Sequence, residues 1–169
     1  MLKLRVVCAI VLIAIFLIAG CASPTSARGQ YPSDSPQWHG RLAVRIEADA
    51  MQSPPQSFAA EFELTGTPLA GELILYTPLG TTAATLSWTP LTAVMQTNTE
   101  IRTFESLDAL IKQAIGTDIP VSALFAWLAG EDKKVAGWRA DLSQHSDGRI
   151  TARRTEPTPV AELRLVLEK

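Results

Sequence analysis

From residue 38 onward the apolar side chains of this chain recur at every second position, in one short run after another, and each run stops at Pro, Gly, Thr or Asp. A period of two places alternate residues on opposite faces of a strand, so the pattern predicts half-buried antiparallel strands. Leu42, Val44 and Ile46 alternate with Arg41, Arg45 and Glu47. Met51 to Gln56, with Pro54-Pro55, reads as a loop, and Phe58, Ala60, Phe62 and Leu64 then alternate with Glu61 and Glu63. After a turn at Thr65-Gly66-Thr67-Pro68, Leu69, Gly71, Leu73 and Leu75 resume the alternation, which predicts a hairpin. Thr77-Pro78-Leu79-Gly80 leads into Thr81 to Trp88, and Thr89-Pro90 into Leu91 to Gln96. Near the C-terminus, Trp138 to Gln144 and Arg149 to Arg154 flank a Ser146-Asp147-Gly148 turn, and Ala161 to Leu167 ends the series with Leu163, Leu165 and Leu167 on one face.

The period changes once. Leu107, Leu110, Ile111, Ala114 and Ile115 follow helical spacing behind Ser106, a good N-cap, and Gly116 stops the run. A second helix is expected from Pro120 through Val121, Leu124, Phe125 and Leu128 to Gly130. With Ala126 and Trp127 it is apolar over most of its circumference, so it must lie between two apolar surfaces or cover a cavity. Eight or nine strands interrupted by one helical pair predict a mainly β, α+β fold in which the sheet curls and the helices plug its mouth.

The N-terminus carries a different signal. Lys3 and Arg5 precede Val6 to Ile18, which is almost free of polar atoms, the pattern of a secretory signal peptide. The run is shorter than the roughly 20 apolar residues that cross a bilayer, so cleavage is expected. Ile18-Ala19-Gly20-Cys21 is similar to the lipobox of bacterial lipoproteins, whose cysteine is acylated and becomes the first residue of the mature chain. That similarity implies a signal peptide over 1–20 and a covalent acyl (palmitate) lipid on Cys21. Ala22, where an aspartate would favour inner-membrane retention, implies the outer membrane. Ala22 to Pro36 is rich in Ser, Pro, Thr and Gly and cannot bury enough apolar surface to order itself. Residues 21–37 are therefore expected to be a lipidated flexible tether of roughly 20 Å reach, and 38–169 one folded domain.

Charge and cysteine content exclude several functions. The formal charge is −2, and the chain loses Lys3 and Arg5 with the signal peptide. Lys133-Lys134 and Arg153-Arg154 are the only adjacent basic pairs and read as solvated turns, so nucleic acid is not an expected partner. Cys8 and Cys21 lie before the domain, leaving it no disulfide. His39 and His145 have no carboxylate or thiol at ligand spacing, so no metal site is expected. Neither a Gly-x-Ser-x-Gly elbow nor a phosphate loop occurs, and Glu61 and Glu63, like Glu162 and Arg164, read as solvated strand faces. No catalytic role follows, and no cofactor beyond the lipid on Cys21.

Four stretches in order behind the lipobox resemble the outer-membrane lipoprotein receptor family LolB of the lipoprotein localisation pathway. They are Trp38-His39-Gly40-Arg41-Leu42-Ala43, Leu73-Ile74-Leu75-Tyr76-Thr77-Pro78-Leu79-Gly80, Gly116-Thr117-Asp118-Ile119-Pro120-Val121 and Leu124-Phe125-Ala126-Trp127-Leu128-Ala129-Gly130. The resemblance spans essentially all of the chain after Cys21, with fewer clear strands than the family's barrel. It implies a half-open antiparallel β-barrel with a helical lid, of the kind LolA and LolB share. It further implies a monomeric receptor anchored by lipid on the periplasmic face of the outer membrane of a Gram-negative bacterium. Such a chaperone of protein transport takes lipidated clients from the periplasmic carrier LolA into an apolar acyl-chain cavity and passes them to outer-membrane lipid. Each buried methylene is worth about 0.8 kcal/mol, so acyl chains cross water only inside such a lipid-binding cavity.

The resemblance marks Pro78, Leu79 and Gly80 as a membrane-insertion loop with an exposed Leu79, and the flanking Pro and Gly leave little room to fold that leucine back. Phe58, Phe62, Leu73, Leu75, Leu86 and Trp88 are the strand residues expected to line the acyl-chain cavity, with Leu124, Phe125 and Leu128 on the covering helix. Arg41 is similar in place to an arginine that holds the lid of LolA. Two other classes remain: a structural or assembly lipoprotein that uses the sheet for protein contacts only, and a lipid-active enzyme. A continuous apolar void of several hundred Å³ would distinguish a lipid binder from a scaffold.

Overall fold

The computed structural model describes residues 34–48 and 54–168. The signal segment, Cys21, most of the expected tether and part of the loop around Met51 lie outside them. Nine strands are described: β1 (Gln37–Ile46), β2 (Gln56–Gly66), β3 (Gly71–Tyr76), β4 (Thr82–Trp88), β5 (Ala93–Gln96), β6 (Ile101–Phe104), β7 (Trp138–Asp141), β8 (Arg149–Arg154) and β9 (Ala161–Leu167). They form one antiparallel sheet in the order β6-β5-β4-β3-β2-β1-β9-β8-β7, and the edge strands β6 and β7 do not meet. The period-two pattern predicts the antiparallel strands, and a nine-stranded sheet that does not close is the half-open barrel implied by the family resemblance.

Helices α1 (Leu107–Ile115) and α2 (Val121–Leu128) lie in sequence between β6 and β7. Because those strands are the two edges, the chain crosses the open side of the sheet to join them, and the helices do the crossing. Ser106 Oγ accepts the Ala109 N–H at 3.1 Å and starts α1; Gly116, at φ +87°, stops it with its N–H on the Lys112 carbonyl.

Register explains the core. Leu42 stands opposite Ala60 on one side and Leu165 on the other, and Val44 opposite Phe58 and Leu163, so inward residues of adjacent strands meet in rows. Gly71 lies where a Cβ would come within 2.6 Å of the Trp88 ring, so only glycine lets that indole lie against β3.

The structure corrects several boundaries. Strand β6 gave no sequence signal because Ile101, Arg102 and Thr103 are all exposed on an edge and do not alternate. Leu69 and Leu91 were expected to open strands; they sit in the turns before β3 and β5 and are 71% and 92% exposed. β7 ends at Asp141, and the chain reaches β8 through a 3-10 turn, His145–Asp147. The Arg153-Arg154 pair is not a solvated turn. It lies in β8, where alternation turns Arg153 outward and Arg154 inward, to 5% exposure.

Candidate lipid-handling site

Between the inward face of the sheet and the two helices runs a seam with only apolar walls. Six of the residues assigned by sequence to an acyl-chain cavity, Phe62, Leu73, Trp88, Leu124, Phe125 and Leu128, line this seam. Phe58, Leu75 and Leu86 do not: Phe58 is half-buried against the core, and Leu75 and Leu86 are buried away from the seam. Sequence reading missed Ile111, Ile115 and Ile119 from the helical side and Leu163 and Leu165 from β9 as lining residues. The periodicity that placed them inward was present, but it does not tell wall from core.

The open space in the seam is about 30 Å³. The void of several hundred Å³ that would distinguish a lipid binder from a scaffold is therefore not open here, and an acyl chain fits only if the helices lift from the sheet. The physical reason is the lid's own composition. Apolar walls held apart would forfeit dispersion contacts on both sides, so the helices settle onto the sheet. Phe125 makes edge contacts with Trp38 and Trp88, at 5.6 and 6.3 Å between ring centres, and the Trp88 indole donates to the Thr67 carbonyl at 3.0 Å.

The far side of α2 is also covered. Trp127 is fully buried, donates its indole N–H to the Lys133 carbonyl at 3.0 Å and packs 6.0 Å from Trp138. This helix is apolar over most of its circumference because both of its sides are occupied, and its one polar residue, Ser122, takes an exposed position. Next to it the buried Arg154 guanidinium faces Trp138, donates to the Pro159 carbonyl at 2.9 Å and lies 3.9 Å from Asp118 in the α1–α2 connection. Lys112 reaches the same carboxylate at 3.1 Å. Arg154 Nε and Thr117 Oγ1 are buried without a hydrogen-bond partner among the described residues. The connection between the helices thus meets a buried guanidinium at long ion-pair distance, while the hydrogen bond of Arg154 goes to Pro159. Arg41, similar in place to the lid arginine of LolA, points outward, exposed, 3.5 Å from Glu61.

The chain contains Thr-Pro-Leu three times, at 67–69, 77–79 and 89–91, each at a hairpin tip. Leu79 is 91% exposed. Its loop is tightly built: the Thr77 and Thr81 hydroxyls meet at 2.8 Å, the Thr77 N–H donates to the Thr81 carbonyl at 2.8 Å, and Gly80 closes the turn at φ +76°. At its base the Tyr76 phenol is raised above its ordinary pKa, first by burial and then by its hydrogen bond to the Glu63 carboxylate. Pro78 fixes φ on the other side of Leu79, so the leucine is held out rather than left loose. Leu69 and Leu91 occupy the opposite end of the sheet, because one precedes β3 and the other follows β4.

Comparison with known proteins agrees with this architecture. The family described as Outer membrane lipoprotein LolB matches residues 36–160. Among curated relatives named Outer-membrane lipoprotein LolB, a Dechloromonas aromatica protein is 30% identical over 82% of this chain and 71% of its own length. One from Bordetella petrii is 27% identical, covering 90% and 87%. One from Shewanella loihica is 29% identical over 70% of this chain, a match that spans only 55% of that relative.

Proposed function

This chain belongs to the outer membrane lipoprotein LolB family, and from that premise we propose that it is an outer-membrane receptor anchored through lipid on Cys21. It accepts lipidated proteins from the periplasmic carrier LolA and inserts them into the outer membrane. The observation that carries the reading is the seam, an interior with only apolar walls under a lid of two short helices. An acyl chain would enter by lifting α1 and α2 from the sheet and would then replace the wall-to-wall contacts with its own methylenes, each worth about 0.8 kcal/mol. A seam that closes on itself loses little by releasing its guest, which suits a receptor that must hand its cargo on. The long Arg154–Asp118 contact gives that lid a joint that opens without breaking the core. Leu79, held clear of the fold, is the residue that enters the bilayer at delivery.

The test is photolabelling during handover. A client lipoprotein carrying a diazirine on an acyl chain, offered by the carrier to the full lipid-anchored chain, should label seam residues such as Leu124 and Phe125. Handover with labelling confined to the outer face of the sheet would reject the seam and favour the scaffold reading.

A further inference from the structure

Two of the three Thr-Pro-Leu turns lie at one end of the sheet, and the chain that leads back to Cys21 leaves from the same end. Gly71 stands opposite Trp88, so Leu69, before β3, and Leu91, after β4, project past the same end of that strand pair. The Trp88 indole donates to the Thr67 carbonyl at 3.0 Å and joins the two turns. In each turn the threonine hydroxyl accepts the backbone N–H of its leucine, and both leucines are exposed. Neither 65–70 nor 89–92 contains a charged residue. Strand β1 begins beside them: Gln37 is opposite Thr65, and the Gly66 N–H donates to the Pro36 carbonyl at 3.0 Å.

Residues 22–36 connect Cys21 to β1, a length whose typical reach is roughly 20 Å. A lipid on Cys21 therefore holds Pro36, and the two leucines beside it, close to the bilayer. Leu79 lies at the far end of the sheet, on the order of 20 Å further along β1 and the β3–β4 loop. We propose that Leu69 and Leu91 sit in the headgroup layer of the membrane that carries the anchor, so that between deliveries the domain stands with its tether end down and Leu79 directed away. The inference rests on the lipid on Cys21 proposed above and specifies the posture of the anchored domain. Entry of the two leucines gains from apolar burial and strips water from no charged group in either turn, while the threonine hydroxyls already serve the backbone. The charged side chains next along the strands, Glu72 after Gly71 and Glu105 after Phe104, are acidic, so a zwitterionic surface fits better than an anionic one. A reach of roughly 20 Å also lets the domain turn over, so that Leu79 meets the same bilayer at delivery.

The experiment uses the full lipid-anchored chain in phosphatidylcholine vesicles, with an acceptor dye on lipid headgroups and a donor dye at one of two introduced cysteines. Ser146→Cys reports the tether end, since its turn leads into Arg149, opposite Val166 and next to the Leu167–Gly40 pair. Ser57→Cys, opposite Arg45, reports the Leu79 end. Energy transfer should be higher from position 146 than from position 57. Leu69→Glu and Leu91→Glu should each lower the docked-to-free ratio on the order of ten-fold, so the double variant should lose the difference, whereas Leu69→Met with Leu91→Met should keep it. Equal transfer from the two positions, or a difference that the double Glu variant keeps, would overturn the inference; if that variant also slows acceptance from the carrier, the tips belong to a protein contact. A chain that fails to float with the vesicles rejects the anchor on Cys21 and this inference with it. The expected posture without lipoprotein delivery would instead reject the receptor reading and leave this one standing.

Discussion

Leu86 and Leu79 are the same side chain on either side of the start of β4, yet one is fully buried and the other is 91% exposed. The first obeys the period of its strand; the second sits where Pro78 and Gly80 close a turn. Burial of Leu86 stabilises the fold, whereas Leu79 contributes no core contact and is kept exposed by hydrogen bonds made around it. The contrast separates two kinds of apolar residue, those that hold the sheet together and those presented to something outside it.

Truncation in the interior should give the largest effect. Leu86→Ala removes a fully buried side chain in the row with Leu73 and Met95, and should cost about 3 kcal/mol, read as a lower urea midpoint at unchanged slope. A loss below about 1 kcal/mol would mean that the interior is loose and that the two leucines differ less than their exposures imply.

Arg154 stands between these extremes, buried like Leu86 but charged. Arg154→Ala gives up the hydrogen bond to Pro159 and packing on Trp138, so it should cost about 1–3 kcal/mol. Asp118 is exposed enough to be rehydrated and adds little to that loss. If the guanidinium holds the helix connection, amide exchange should rise over α1 and α2 before it rises over the sheet. Uniform acceleration would mean that Arg154 supports the core alone.

Much of this was legible in the sequence because its period is unambiguous. The order of strands, the helical pair and its caps follow from alternation, Ser106 and Gly116. What was not legible depends on contacts distant in sequence. Arg154 looked like half of a solvated pair although it ends a legible strand, because the partners that let an arginine turn inward, the Trp138 ring and the Pro159 carbonyl, are brought to it only by the fold. Ile101 to Phe104 became a strand through pairing with β5, not through its own pattern. Leu69 and Leu91 matched the strand period and were still turn residues, since Thr67 and Thr89 use their hydroxyls to accept the N–H groups of Leu69 and Leu91 and bend the chain there. Which inward residues form the seam depends on where the lid rests, and local sequence does not carry that.

The smallest expected change in stability comes from the tips, and it sharpens the comparison most. Leu79→Glu should alter stability by less than about 0.5 kcal/mol, because the substitution neither opens a cavity nor buries a charge. Leu91→Glu should do the same, since Leu91 is as exposed and its Thr-Pro-Leu turn is built alike. Delivery should distinguish them. A leucine entering the headgroup boundary gains on the order of 2 kcal/mol, and a glutamate there opposes approach, so Leu79→Glu should accept lipoprotein from the carrier but release it into liposomes slowly. Leu91 lies at the other end of the sheet, about 20 Å away along a six-residue strand, and its substitution should leave release unchanged. Transfer into liposomes by the two variants, with thermal melts alongside, tests this directly. Equal slowing by both would reduce the effect to exposed charge on any tip, while a large fall in melting temperature for Leu79→Glu alone would make Leu79 part of the fold after all.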